Sequence, residues 1–235
     1  MPKFTSIFKR VEQKYIISDE QRKILENRIM PYIRPDEYGK STISSVYLDT
    51  PDFRIIRSSI DADCYKEKIR IRAYGKVSPD GTVFLEIKKK YKGVVFKRRE
   101  TMTLNQAVGF VSSGKMPFDS QINREIEYAL NFYSLPEPVA TICCEREAFF
   151  VRDDPDLRIT FDTGIRYRTD DLLPSGEAYG SPLLPDGMII FEYKTNSCMP
   201  LWLVNALDEI GAFPKSFSKY GNAYKNIRYT KEYDQ

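Results

Sequence analysis

The sequence contains no histidine in 235 residues. This removes Ser-His and Cys-His nucleophilic sites, imidazole general bases and His-ligated metals in one step. If the chain is an enzyme, its chemistry runs on carboxylates, lysine, arginine and a hard cation held by oxygen. Cysteine is scarce too. Cys64, Cys143, Cys144 and Cys198 show no CxxC spacing, and Cys143 and Cys144 are neighbours on an expected strand. That argues against a zinc site or a disulfide framework and for reduced thiols in a cytosolic compartment. No apolar run is long enough to span a bilayer, and the opening MPKFTSIFKRVEQKY lacks a signal-peptide core. A cytoplasmic protein, or the soluble part of a larger chain, is expected. Strong overall charge is also missing: 36 Lys+Arg against 33 Asp+Glu leave +3. Global charge therefore does not call for nucleic acid, and any polyanion site must come from local clustering.

What is present is an ordinary globular composition, 42% hydrophobic and 29% charged, long enough for a sizeable core. No internal repeat, low-complexity tract or obvious linker divides the chain, so a single domain over 1–235 is expected.

The segment 64–74, CYKEKIRIRAY, organises the rest. Ile69, Ile71 and Ala73 alternate with Lys66, Lys68, Arg70 and Arg72, so a strand would put the cations on one face. A solvated edge explains one such strand, but the pattern recurs. Segment 82–90 places Phe84, Glu86, Lys88 and Lys90 opposite Val83, Leu85 and Ile87. Lys92-Gly93 makes a short hairpin connection to 94–102, and an antiparallel meander is expected. Segments 7–17, 139–151, 157–168 and 187–195 repeat the alternation; the third sets Arg158, Thr160 and Asp162 on one face. Helices are expected from Ser18, a capping-box residue with Gln21, to about Met30, and over 104–113, 119–133 and 200–211. A strand is expected at 42–48, turn chemistry at Asp49 and Asp52, and a loop at 172–186; 53–59 is ambiguous.

Lys, Arg and Glu dominate the polar faces, and Glu-x-Lys occurs three times: Glu12/Lys14, Glu86/Lys88 and Glu192/Lys194. A sheet closed into a barrel with its charged face inward accounts for this, the helices covering its apolar exterior. Buried cations without counter-ions are prohibitively costly; carboxylates and a ligand with several phosphates would offset that cost. Arginine grips phosphate through its fork and lysine as a point charge, while a glutamate among them can hold Mg²⁺ or Mn²⁺.

In order, RxExKY (10–15), YLDT (47–50), KIRIRAY (68–74), FLEIKKK (84–90), FKRRE (96–100), CEREAF (144–149), LRITFDT (157–163), FEYK (191–194) and PKSFSKY (214–220) run through the chain. This series resembles the VTC domain, the polyphosphate polymerase domain of the vacuolar transporter chaperone complex, within the CYTH-like triphosphate tunnel metalloenzymes. The resemblance implies an α+β fold, an antiparallel tunnel barrel with a basic lumen and helices outside. It also implies transfer of the γ-phosphate of ATP to a growing polyphosphate chain with Mn²⁺ or Mg²⁺. Matching motifs assign phosphate contacts to Lys14, Arg70, Arg72, Lys88, Arg146, Arg158, Lys194, Lys215 and Lys219. Arg70, Arg72, Lys88 and Lys194 are the candidate catalytic residues. Lys97 and Arg98 join the phosphate set, with the inward-pointing one left open. Glu192 is the first metal ligand, with Glu86 and Glu12 behind it.

The chain departs from the strict CYTH signature, since Arg10 stands where a first glutamate would be. This favours a polymerase over a triphosphatase or cyclase; a triphosphatase and a non-catalytic polyphosphate or inositol-phosphate binding module remain the rivals. Nucleic acid ranks last, and polymer export would require a membrane-protein partner. Blander roles are expected for Lys66 (solvated strand end), Asp162 (arginine partner), Tyr15, Tyr74 and Tyr193 (packing), and Cys143 and Cys144 (inert).

Overall fold

The computed structural model describes residues 11–62, 64–92, 94–174 and 177–233. Arg10, Gly93 and the start of segment 7–17, which entered the sequence reading, lie outside the described residues. In chain order the elements begin β1 (Val11–Ser18), α1 (Asp19–Ile29), β2 (Ile33–Asp49), α2 (Arg54–Asp61), β3 (Tyr65–Tyr74), β4 (Thr82–Tyr91) and β5 (Val94–Thr103). They continue α3 (Leu104–Ser113), α4 (Gln121–Phe132), β6 (Glu137–Val151), β7 (Arg158–Arg168) and β8 (Ser181–Pro182). The chain closes with β9 (Met188–Thr195), α5 (Leu201–Glu209) and α6 (Lys219–Tyr233). Two compact units emerge: Met1–Ser41 with Cys144–Ile165 and Leu184–Phe217, and Thr42–Cys143 with Arg166–Leu183 and Ser218–Gln235. Strands β2, β6 and β7 run through both.

In the first unit the strand order is β1-β9-β7-β6-β2. β1 and β9 pair antiparallel, as do β7 and β9. Alternation puts Tyr15, Ile17, Ile159, Phe161, Ile189, Phe191 and Tyr193 on the buried side, where α1 adds Leu25 and Ile29 and α5 adds Leu203 and Leu207. Tyr15 and Tyr193 stack at 6.4 Å, so both are packing residues, as expected. The capping box forms: Ser18 accepts from Gln21 N, and the Gln21 side chain reaches back to Ser18 N. A buried leucine such as Leu25 contributes about 1.5–3 kcal/mol, and truncating it to alanine costs about 2–5 kcal/mol.

In the second unit the order is β6-β2-β3-β4-β5, with β8 on the end of β7. The β3–β4–β5 meander is antiparallel, in register Arg70↔Glu86↔Arg99 and Lys68↔Lys88↔Lys97. Its apolar face carries Ile69, Ile71, Val83, Leu85 and Ile87, covered by Ile55 of α2, Phe110 of α3 and Ile126, Ala129 and Leu130 of α4. Gly114 ends α3 at φ 70°, a left-handed turn that favours glycine.

The differences from the sequence reading have local causes. β2 begins at Ile33, well before the β-branched stretch, and runs through Pro35 and Gly39, poor strand formers by propensity. The ambiguous segment 53–59 is helix α2, entered through Phe53 at φ 59° and held by Asp49, which accepts from the backbone N–H groups of Ile55 and Ile56. Asp49 is thus a buried helix cap as well as a turn residue. Glu67 sits among the apolar positions of β3, accepting from the Tyr133 hydroxyl at 2.8 Å and pairing with Lys89 at 3.3 Å.

Candidate functional site

The face of β3, β4 and β5 away from α2, α3 and α4 carries, among the described residues, one carboxylate and a surplus of cations. Glu86, 1% exposed, takes Arg70 at 2.7 Å, Lys97 at 2.7 Å and Arg99 at 2.5 Å, with Arg72 at 3.9 Å. The register requires this: Glu86 faces Arg70 on one side and Arg99 on the other, and Lys97 and Arg72 follow two positions away. Four cations against one carboxylate leave three positive charges in excess within this group. Arg70 also donates to Tyr47 Oη at 3.2 Å, and Arg72 to Ser45 Oγ at 3.2 Å. Lys68 donates to Ser218 Oγ at 2.6 Å, just before α6.

Neighbouring groups record the surplus. Burial raises the Tyr47 phenol, yet Arg70, Lys68 and Arg72 together pull it down to about 8. Tyr74 follows the same pattern: burial raises it, and Arg72 and Arg99 bring it to about 8. Burial lowers the Lys97 ammonium to about 8, Arg99 and Arg72 adding to the fall against the attraction of Glu86. Glu86 is held far below the carboxylate range by Arg70, Arg72 and Lys97 despite its burial. Such a face favours an added anion.

The first unit has a different charged face. On β1 and β9, Glu12 faces Lys194 and Lys14 faces Glu192. Lys14 also pairs with Glu12, and Lys194 with Glu192 at 2.5 Å, giving a square of alternating sign. On β7, Arg158 faces Lys194 and Thr160 faces Glu192. Arg146 of β6 clamps Asp162 with two bonds at 2.5 and 2.6 Å, and Arg158 reaches Asp36 at 2.9 Å. Lys14, Lys194, Arg146 and Arg158 are matched one for one by Glu12, Glu192, Asp162 and Asp36. Burial pushes Glu192 up, but Lys194 and Lys14 hold it below its ordinary value. Lys14 is depressed by burial and raised on balance by Glu192 and Glu12, whereas in Lys194 burial wins and the ammonium is lowered.

Of the residues chosen from sequence, Arg70, Arg72, Lys88, Lys97 and Glu86 share the second unit's charged face, and Lys14, Arg146, Arg158, Lys194, Glu12 and Glu192 share the first unit's. Arg98 is a correction: opposite Ile87, it lies on the helix side and pairs with Glu125 of α4 at 3.0 Å. Arg99, not chosen from sequence, takes the place beside Glu86. Tyr74 is also more than packing, since its hydroxyl accepts from Arg99 at 3.2 Å. Lys215 is exposed, and its backbone N–H donates to Lys14 O at 2.7 Å; half-buried Lys219 opens α6.

The metal ligands divide the same way. A small divalent cation takes oxygen ligands and is commonly held by one or two carboxylates together with substrate phosphates and water. Glu12 and Glu192 fit that role, close enough for the charge of Glu12 to act on Glu192. Among the described residues no group of three or more acidic or cysteine side chains is arranged to hold an ion. Glu86 does not fit: its oxygens are taken by four cations that would repel a metal.

The VTC domain family model matches residues 9–228. No curated protein sequence matches. Among solved structures, a candidate adenylate cyclase from Bacillus halodurans is 14% identical with a TM-score of 0.59, over 91% of this chain and 96% of that one. One from Vibrio parahaemolyticus is 13% identical, TM-score 0.50, over 94% and 99%. A candidate adenylyl cyclase from Hippeastrum, whose dominant activity is that of a triphosphatase, is 15% identical with a TM-score of 0.54 over 90% and 93%. These likenesses show a shared α+β fold built on antiparallel strands. Among the described residues no helix is long and apolar enough to cross a membrane.

Proposed function

The chain belongs to the VTC domain family, and from that membership we propose that it is a metal-dependent phosphotransferase of the polyphosphate polymerase type, binding ATP and polyphosphate and passing the γ-phosphate to a growing chain. The observation that carries the reading is the surplus of cations around Glu86. Among the described residues Arg70, Arg72, Lys97 and Arg99 crowd one carboxylate, and a chain of phosphates offers such a cluster further negative charge at regular intervals. Arg70, Arg72 and Lys88 hold phosphate oxygens on this face and Lys14, Arg146, Arg158 and Lys194 on the other; Lys215 and Lys219 complete the set. Glu86 keeps the arginine forks in place.

No protein nucleophile is needed. The terminal phosphate of the acceptor attacks, and the protein contributes position and charge neutralisation. A divalent cation, Mn²⁺ or Mg²⁺, held by Glu192 and Glu12 would neutralise charge developing on the phosphoryl oxygens. The reading has the protein act in the cytoplasm and leaves any export of polymer to a membrane-protein partner.

Incubation of the purified protein with ATP and Mn²⁺ or Mg²⁺, with products resolved by size, tests this. A ladder of polyphosphate with matching ADP is the expected result. Free phosphate without chain growth would replace the polymerase with a triphosphatase, a reading favoured by the activity of the Hippeastrum protein. Binding without turnover would reduce the protein to a polyanion-binding module.

A further inference from the structure

The two charged faces balance their charge differently, and the balanced one holds an exchangeable arrangement. Glu12 and Glu192 are each paired with the lysine two positions further along their own strand and face the other lysine across the ladder. Asp162, on the same face, is committed: Arg146 closes on both of its oxygens. An arginine fork bonded at two points is a fixed clamp, whereas an ammonium on a flexible four-carbon stem can swing to another anion. A separate observation points to something missing. Thr160, only 7% exposed, faces Glu192 across the β7–β9 ladder, and its hydroxyl has no hydrogen-bond partner among the described residues. An unsatisfied buried hydroxyl costs about 1–3 kcal/mol, so this one is open to a bound oxygen or ion.

Two ammonium groups carry the same charge as one divalent cation. We propose that Lys14 and Lys194 hold the place of a divalent cation beside Glu12 and Glu192 in the ligand-free protein, so that the cation enters only together with a phosphate group that takes the lysines. Thr160 then supplies the hydroxyl that the incoming cation–phosphate pair reaches. The exchange keeps the two carboxylates balanced throughout and delivers two free ammonium groups to the phosphate. Metal and polyanion therefore bind with positive coupling, each raising the affinity for the other. The inference rests on the reading of this face as the metal site.

The test is Mn²⁺ binding without any phosphate, followed by the loss of the free-ion signal in electron paramagnetic resonance. Wild-type protein should bind Mn²⁺ alone only weakly. Lys194→Met and Lys14→Met should each bind it at least tenfold more tightly, and adding Glu192→Gln to either should remove the gain. Micromolar binding by the wild type, or unchanged affinity in whichever lysine variant folds, would overturn the inference. Unchanged affinity in the variants beside metal-dependent turnover of ATP by the wild type would overturn it and leave the proposed function standing. Tighter binding in the variants with no turnover under any metal would support the exchange and remove the polymerase.

Discussion

Tyr220 donates its hydroxyl hydrogen to Asp49 Oδ2 at 2.7 Å, deep in the second unit. The same carboxylate accepts from the N–H groups of Thr50, Ile55 and Ile56, so one buried group ties α6 to the end of β2 and the start of α2. The Tyr220 ring stacks on Tyr47 at 4.3 Å, and Tyr47 accepts from Arg70. The position of Arg70 is thus coupled to a helix cap.

Asp49→Ala should destabilise the protein by about 3 kcal/mol, because several donors lose a charged acceptor in a dry site. Tyr220→Phe, which removes one bond, should cost about 1 kcal/mol. Denaturant melts of both variants check this. A loss from Asp49→Ala no greater than that from Tyr220→Phe would show that the cap does not support α2.

Removing Glu86 should free charge, not metal affinity. Glu86→Gln leaves four cations without their carboxylate and should lower stability by about 3 kcal/mol or more at low salt. Added tripolyphosphate should restore much of the loss and bind more tightly than to the wild type. A raised metal requirement with unchanged tripolyphosphate affinity would return Glu86 to the metal ligands.

Binding a polyanion near pH 8 should take up protons. Lys97 and Tyr47 both titrate at about 8 in the free protein, and an added anion favours cationic Lys97 and neutral Tyr47, raising both. Calorimetry of tripolyphosphate binding in buffers of different ionisation enthalpy reads the sign directly; proton release would contradict it. In the free protein both groups lie below their ordinary values. From about pH 8 to 10 the unfolded chain therefore binds more protons than the folded one, and these two groups make stability rise with pH.

Arg70→Ala should lower polyphosphate synthesis by at least about a hundredfold while the protein stays folded. Arg70→Lys should recover little, since a lysine cannot reproduce the fork that spans Glu86 and Tyr47. Glu192→Ala should also abolish synthesis. Full activity in Arg70→Ala and Glu192→Ala would remove the site assignment.

The faces of β3, β4, β7 and β9 were legible because a strand has a period of two, and Ile69, Leu85, Phe161 and Phe191 mark the buried side without ambiguity. Lys97, Arg98 and Arg99 resisted because FKRRE has no strong apolar alternation, and only the pairing of Ile87 with Arg98 decides which point toward Glu86. Arg99 was therefore overlooked, and the choice between Lys97 and Arg98 stayed open. Helix α2 was obscured because its cap, Asp49, lies several residues before its first turn, where a local signal would not be sought. The charge balance of the first unit depends on partners far apart in sequence, such as Arg158 with Asp36, and no spacing rule reveals them.

The pairing of β1 with β9 joins Val11 to Thr195. During synthesis the first strand therefore leaves the ribosome long before its partner exists. Its unpaired edge must stay out of wrong ladders until β9 is made, and such late closure makes folding slow. The charges of β1 suit that wait: Glu12 and Lys14 keep one face of the nascent strand wet until the chain returns to neutralise them.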